Sequence, residues 1–170
     1  MALVVLTDSY ISQIDATAYV SGHYATTDIK HTTWDALSSD DKDAYLRKAA
    51  QIIDRQPFIG FKALLTQTME FPRAIYTDNG VVGLPQNNMF YGDEWYIQTD
   101  VPDIVKYAQV ELALELSIGI SKRTELQRQG VKSFSIGSLS ENYGSGKENA
   151  LPYEAKCLLA PFLAGSVRIC

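Results

Sequence analysis

Ser38-Ser39-Asp40-Asp41-Lys42-Asp43-Ala44-Tyr45-Leu46-Arg47-Lys48-Ala49-Ala50-Gln51-Ile52-Ile53 is the stretch whose reading decides the fold class. Ser38 followed three residues later by Asp41 forms a capping box, in which the serine hydroxyl accepts from a free N–H of the first turn. Asp40, Asp41 and Asp43 crowd that turn, where the helix dipole favours acids. Tyr45, Leu46, Ala49, Ile52 and Ile53 then fall at i, i+1, i+4, i+7 and i+8, a single apolar stripe. Pro57 ends the helix. It is the clearest amphipathic helix in the chain, and its stripe needs other elements to cover it.

Towards the N-terminus, Ser12 and Asp15 repeat the capping box, and Ala16, Tyr19, Val20 and His23 follow at helical spacing. Gly22 weakens the end of that helix. Leu3-Val4-Val5-Leu6 is apolar but too short to assign by period. Residues 25–33 are polar and read as a loop, with Trp34 and Leu37 an apolar pair just before the main helix.

Towards the C-terminus, residues 58–100 read as an irregular middle, with Pro72, Pro85 and an Asp78-Asn79-Gly80 turn. Phe90, Tyr91, Trp95 and Tyr96 make an aromatic patch around Gly92. So long a stretch is expected to pack on the domain or on a partner. Asp100 is expected to cap a third helix, with Pro102 in its first turn and Ile104, Val105, Ala108, Leu112 and Leu116 as its apolar face. That helix runs to about Ser117 and leaves at Gly119. Phe134 and Ile136 alternate with serines between Val131 and Tyr143, which reads as a strand or hairpin. Tyr143-Gly144-Ser145-Gly146 is a flexible joint. Pro152 opens a short helix carrying Tyr153, Cys157 and Leu158, and Pro161 stops it. The tail from Ala164 to Cys170 is strand-compatible, with no obvious place in a core.

The expected fold is mainly α: a small helical bundle with a β-hairpin or strand element and an extended C-terminal arm. Residues 1–143 form the helical domain, with the hairpin near 130–143. Residues 144–170 form a hinge, a short helix and the arm.

The composition excludes several classes. The chain has 170 residues, 46% hydrophobic and 21% charged, with a formal net charge of -5. That is an ordinary globular profile of one domain, perhaps with an arm. No apolar run approaches the ~18–20 residues needed to cross a bilayer. The opening has no basic region and reaches Asp8 early, so it reads as no signal peptide. Two cysteines, Cys157 and Cys170, fit a reducing cytoplasmic origin better than a disulfide framework. The acidic balance speaks against a dedicated nucleic-acid binder.

Each candidate for chemistry has a plainer reading beside it. Gly144-Ser145-Gly146-Lys147 resembles the end of a phosphate loop, but Glu148 follows the lysine and Glu141 replaces the first glycine. A linker is the better reading. Cys157 reads as a buried structural thiol rather than a nucleophile. His23 and His31 have no ligand spacing around them. Glu111 and Glu115, at i and i+4, form an acid/base pair, a solvated face or half of an inter-subunit ion pair. The aromatics from Phe90 to Tyr96 lie among Asp93, Glu94 and Asp100, which suits a protein partner, or the protein's own core, better than a phosphate backbone. Lys122, Arg123, Arg128 and Lys132 form the one candidate nucleic-acid surface. The alternative is a solvated helix exit.

Several segments together resemble one family. They are Met1-Ala2-Leu3-Val4-Val5 with Asp8-Ser9-Tyr10-Ile11-Ser12; Trp34, Leu37 and Ser38 leading into Leu46-Arg47-Lys48-Ala49-Ala50 and Ile53-Asp54; and Gly60-Phe61-Lys62. Phe71-Pro72-Arg73 stands where the family has Trp-Pro-Arg. Val101-Pro102, Val105-Lys106 and Glu111-Leu112-Ala113, the 130–143 hairpin, and Leu158 to Leu163 complete the set. In this order they resemble the tailed-phage head-tail connectors, adaptors often labelled DnaT-like single-stranded-DNA-binding proteins. The Phe90–Tyr96 stretch looks like an insertion.

The resemblance implies a non-catalytic ring, usually twelvefold, docked on the portal protein, without cofactor or membrane. It extends the DNA channel and meets a downstream connector, stopper or tail protein, in the virion neck and, during assembly, the host cytoplasm. Neighbouring copies would pack heterologously. On this reading Asp103, Glu111 and Glu115 meet Arg123 and Arg128 of a neighbour. Lys122 and Lys132 face the channel DNA. Ala164, Gly165, Ser166, Val167, Arg168, Ile169 and Cys170 are the candidate portal anchor. The alternative is a single-stranded-DNA-binding phage replication protein.

Overall fold

Helices account for most of the regular structure in the computed structural model, which describes residues 3–76, 90–91, 95–119, 133–136, 139–142 and 151–165. The order is α1 Gln13–His23, α2 Ile29–Ala36, α3 Ser39–Ile53, β1 Phe61–Lys62, β2 Arg73–Tyr76, β3 Phe90–Tyr91, β4 Trp95–Ile97, α4 Asp103–Ile118, β5 Ser133–Ile136, β6 Leu139–Asn142 and α5 Tyr153–Leu159. The mainly-α expectation is met.

Both capping boxes form. Ser12 Oγ accepts from the Asp15 N–H at 3.1 Å, and Ser38 Oγ from the Asp41 N–H at 3.2 Å. Helix α3 buries Leu46, Ala49, Ala50 and Ile53. Its stripe packs on α4, which buries Val105, Ala108, Val110, Leu112, Ala113 and Leu114 and is in contact with α1, α2 and α5 as well. Helix α4 is therefore the axis of the core, apolar on most sides because helices surround it.

One buried polar group fixes how these parts meet. Gln109, fully buried on α4, donates from Nε2 to Ser9 Oγ and to the Leu46 carbonyl, both at 2.8 Å. Its Oε1 accepts from the Tyr10 N–H at 2.8 Å. The N-terminal segment, α3 and α4 are thus locked in one register.

Four readings change. Residues 29–36, most of them inside the stretch read as a loop, form α2. Asp28 caps it by accepting from the Lys30 N–H at 2.8 Å, and only His31 and Trp34 are buried. Two inward residues on a threonine-rich turn give no stripe to detect. Asp100 is not the cap of α4; Pro102 occupies that position without a side-chain hydrogen bond. The irregular middle contains a four-stranded antiparallel sheet in the order β1-β2-β4-β3. Its register pairs Phe61 with Ala74, Ile75 with Tyr96, Tyr76 with Trp95, and Tyr91 with Trp95. The aromatic patch is therefore partly sheet, and Tyr96 is buried. Strands of two to four residues are too short for periodicity to reveal.

The expected hairpin is present as β5 and β6, with Phe134 opposite Glu141. The boundary drawn at 143/144 lies outside the described residues. Beyond it, Leu151, Ala155, Leu159 and Phe162 join the main core. The chain after α5 is tied back: the Ala164 N–H donates to the Pro57 carbonyl at 2.8 Å, and the Ile59 N–H to the Phe162 carbonyl at 2.8 Å. Cys157 is disulfide-bonded, which corrects the reading of a free buried thiol.

Arg73 of β2 organises the join between sheet and helices. Its Nε donates to the Ile59 carbonyl at 2.9 Å and its Nη2 to the Gly60 carbonyl at 2.7 Å. Its Nη1 donates to the Glu70 carbonyl at 3.2 Å and pairs with the Glu70 carboxylate. The Phe71-Pro72 peptide before it is cis.

Beside this join, the Tyr10 hydroxyl donates to Asp54 at the C-terminus of α3. Burial raises Asp54 above the ordinary carboxylate range, against the lowering effect of the Tyr10 hydrogen bond. Burial, then the Asp54 charge, raises Tyr10 in turn. A carboxyl whose folded-state pKa is raised contributes stability that is present below its unfolded value near 3.9 and is lost as pH rises through the folded value. Asp54→Asn keeps an acceptor for Tyr10 and removes that loss. Its expected melting temperature at pH 7 is equal to or a few degrees above the wild type. Below the ordinary carboxylate range the advantage disappears. Thermal melts at the two pH values check this, and a variant less stable at pH 7 than at low pH, relative to wild type, contradicts it.

Candidate interaction site

The side of the bundle where α1, α2 and α4 meet carries its densest polar cluster. Glu111 lies at the centre, 3% exposed. Its Oε1 accepts from the Tyr19 hydroxyl at 2.8 Å, and the Tyr24 hydroxyl donates to the same carboxylate at 2.6 Å. Lys30 Nζ donates to Glu111 Oε2 at 2.9 Å and reaches Glu115 at 3.6 Å. The sequence folds this way because α1 and α2 bring Tyr19 and Lys30 to the face of α4 that carries both acids.

The electrostatics follow from the geometry. Burial, then the hydrogen bond to Glu111, raises the Tyr24 hydroxyl to about 12. The same causes raise Tyr19. Burial alone would lower Lys30, but the bonds to Glu111 and Tyr24 outweigh it and hold the ammonium charged. All three groups donate to the one Glu111 carboxylate. The cluster clamps three helices together and keeps the Glu111 carboxylate turned inward onto three donors of its own chain.

Next to it, α1 and α4 enclose a groove of about 610 Å³, lined among others by Val5, Tyr10, Ile11, Tyr19, His23 and Tyr107. Tyr19 stacks on Tyr107 with ring centroids 4.7 Å apart, and His23 stacks on Tyr19 at 3.9 Å. Asp15, Asp103 and Lys106 also line it, and Lys106 Nζ lies 2.8 Å from Asp103. The groove has an aromatic wall and a mixed-charge lining.

The expected site residues are distributed as follows. Glu111 is not on a solvated acidic face: it faces inward and is neutralised within its own chain, which corrects its place among the inter-subunit candidates. Asp103 and Glu115 remain accessible, each already beside a lysine of this chain. His31 is buried on α2 beside Asp35 at 3.2 Å, not in a polar loop. Ala164 is held by Pro57, and Gly165 adopts a positive φ. Arg123, Arg128, Lys122, Lys132, the Gly144–Lys147 loop and residues 166–170 lie outside the described residues. Tyr24 and Lys30 carried no sequence signal, because their partner is more than eighty residues away. Arg73 carried one, as the last residue of the Phe-Pro-Arg triplet.

Five of the described cations, Lys30, Arg47, Lys62, Arg73 and Lys106, are engaged by carboxylates of the same chain. Cations neutralised this way are poor phosphate ligands, since no counterions are released on their account. Among the described residues no group of His, Cys, Asp and Glu is placed to hold a metal ion, and no helix is long and apolar enough to cross a membrane.

Comparison with known proteins gives one assignment. Neither the curated proteins nor the solved structures contain a significant match. A protein-family model does match, over residues 1–169, and its wording agrees with the single-stranded-DNA label rather than with a connector. The chain belongs to the family described as "Putative DnaT-like ssDNA binding protein".

Proposed function

We propose that this member of the DnaT-like family is a structural head-tail connector of a tailed phage. It forms a ring on the portal protein, extends the DNA channel and offers a surface to the next connector, stopper or tail protein. Its place is the virion neck, with the host cytoplasm before assembly, and no catalytic step or cofactor is part of the role. The observation that carries this reading is the number of large apolar side chains left uncovered around a closed core: Ile14, Ile29, Phe61, Leu64 and Leu65 are all exposed. Phe61, Leu64 and Leu65 fall within five residues of one another, and apolar side chains grouped in this way suit a protein–protein contact where they form one patch. The chain-long resemblance to connectors supports it, as does the engagement of five of the described cations by carboxylates of the same chain.

In this role Asp103 and Glu115 meet Arg123 and Arg128 of a neighbour, while Lys122 and Lys132 line the channel. Residues 166–170 anchor the chain on the portal by adding to a sheet edge. The second reading is single-stranded-DNA binding, favoured by the family's own description. Phosphate contacts would then come from Lys122, Arg123, Arg128 and Lys132.

Electron microscopy of the protein mixed with the portal of the same phage separates the two. The expected result is a stacked ring on the portal, lost in a Val167→Ser/Ile169→Ser variant. Absence of any complex, together with binding of single-stranded DNA that falls steeply with salt, overturns the connector reading in favour of the second.

A further inference from the structure

Cys157 sits on α5 at a half-buried position, off the face that carries Ala155 and Leu159 into the core. Its sulfur is in a disulfide. The one other cysteine that this sequence offers it is Cys170. Such a bond closes within one chain or joins two copies, and the backbone between the two residues decides which is favoured.

That backbone is fastened for much of its length. Beyond α5 the turns continue: the Ala160 N–H donates to the Cys157 carbonyl at 3.3 Å, and the Phe162 and Leu163 N–H groups donate to the Leu159 carbonyl at 2.9 and 3.2 Å. Phe162 is buried in the core, Leu163 is bridged to Phe58, and the Ala164 N–H is bound to the Pro57 carbonyl. Gly165 then has φ 73, a left-handed turn that redirects the chain. At a rise of about 1.5 Å per residue, the coiled stretch keeps Ala164 roughly 10 Å from Cys157. Each later residue spans up to about 3.3 Å, so position 170 can return to Cys157 with slack. A thiol held this near on its own chain acts at an effective concentration on the mM scale, far above that of a second copy in dilute solution.

We propose that Cys157 and Cys170 of one chain form a redox-sensitive tether. Oxidised, residues 165–169 are a loop fastened at both ends. Reduced, they are held only through Ala164. The oxidant is a small disulfide such as oxidised glutathione. One cysteine thiolate attacks it, forming a mixed disulfide and releasing one glutathione thiolate. The other cysteine thiolate attacks the protein sulfur of that mixed disulfide, forming the Cys157–Cys170 bond and releasing the second. The two thiol protons end on the two glutathione molecules, and excess glutathione reverses both steps. The tether is therefore open in reducing surroundings and closed in oxidising ones. The residues so tied include the portal anchor of the connector reading, but the tether does not depend on that reading.

The full chain, equilibrated with excess oxidised or reduced glutathione, is alkylated with iodoacetamide for intact mass and, in parallel, digested briefly with trypsin. The oxidised form is expected to be a monomer that takes up no alkyl group, and the reduced form to take up two. Cleavage after Arg168 is expected to be about 10-fold faster or more in the reduced form, where the segment is released from its second attachment. In the oxidised form Ile169 and Cys170 stay joined to Cys157 after that cut. Cys170→Ser and Cys157→Ser are each expected to cut at the fast rate in both buffers. An unchanged melting temperature of Cys170→Ser against the reduced wild type shows that the fast rate is not general unfolding. Two alkyl groups on the chain from the oxidised buffer overturn the proposal. So does a disulfide-linked dimer on a non-reducing gel, or equal rates of cleavage after Arg168 in the two forms.

Discussion

Replacing Arg73 by alanine is expected to lower the stability of the chain by roughly 3–5 kcal/mol. The guanidinium is almost completely buried and serves the carbonyls of Ile59, Gly60 and Glu70 and the Glu70 carboxylate. It also lies over the rings of Phe58 and Phe71, 5.6 and 5.8 Å from their centroids. Truncation leaves acceptors without donors and a cavity beside the Phe58 and Phe71 rings, which pack edge to face on each other. Arg73→Lys recovers little, since a lysine is a single flexible ammonium where the site uses a planar fork. A typical domain has about 5–15 kcal/mol in total, so this loss takes a large share of it. Urea unfolding of the two variants measures the effect. A loss below about 1 kcal/mol would mean that water reaches these carbonyls and that Arg73 is not their obligatory partner.

Gly60→Ala is the second large effect. Gly60 has φ +75, and an added Cβ would stand 2.1 Å from the Ala74 carbonyl oxygen and 3.0 Å from Ile75 Cα. Those are backbone atoms of β2, paired with β1 next to the glycine, so relief means breaking the Phe61–Ala74 pairing. The expected cost is roughly 3 kcal/mol or more, combining strain with overlap. Gly119→Ala is the internal control. Its φ is +88, but among the described residues nothing lies within 4 Å of the added carbon. Only the conformational part remains there, about 1–3 kcal/mol, since φ 88 with ψ 157 is a region essentially confined to glycine. Thermal melts of the pair separate overlap from strain. Equal losses at the two positions would show that the β1–β2 contact yields at little cost.

The two substitutions mark how far the sequence could be read. Phe71-Pro72-Arg73 was legible as a motif, and Gly60 as part of a glycine-containing turn. Nothing in their spacing said that the arginine closes the backbone around that glycine. The candidate site behaves alike. Glu111 and Glu115 were visible as a pair on one helix, and Asp103 as an acid in its first turn. Which of them is buried depends on Tyr19, Tyr24 and Lys30, brought from α1, its C-cap and α2.

What the sequence by itself determined is local. Capping boxes at Ser12 and Ser38, the α3 stripe, the apolar α4 and the hairpin near residues 133–142 follow from groups three or four residues apart, or two apart along a strand. Composition and order added the mainly-α class. The tertiary structure alone decided what depends on distant partners. It formed α2 around two buried residues, assembled short strands into a sheet, drew α5 into the core and turned Glu111 from a surface acid into the centre of a clamp. The physical reason is range. Helix and turn signals are written in hydrogen bonds between near neighbours. Burial is set by contacts such as Tyr10 with Gln109, or Tyr24 with Glu111, whose partners share a neighbourhood only after the chain has folded.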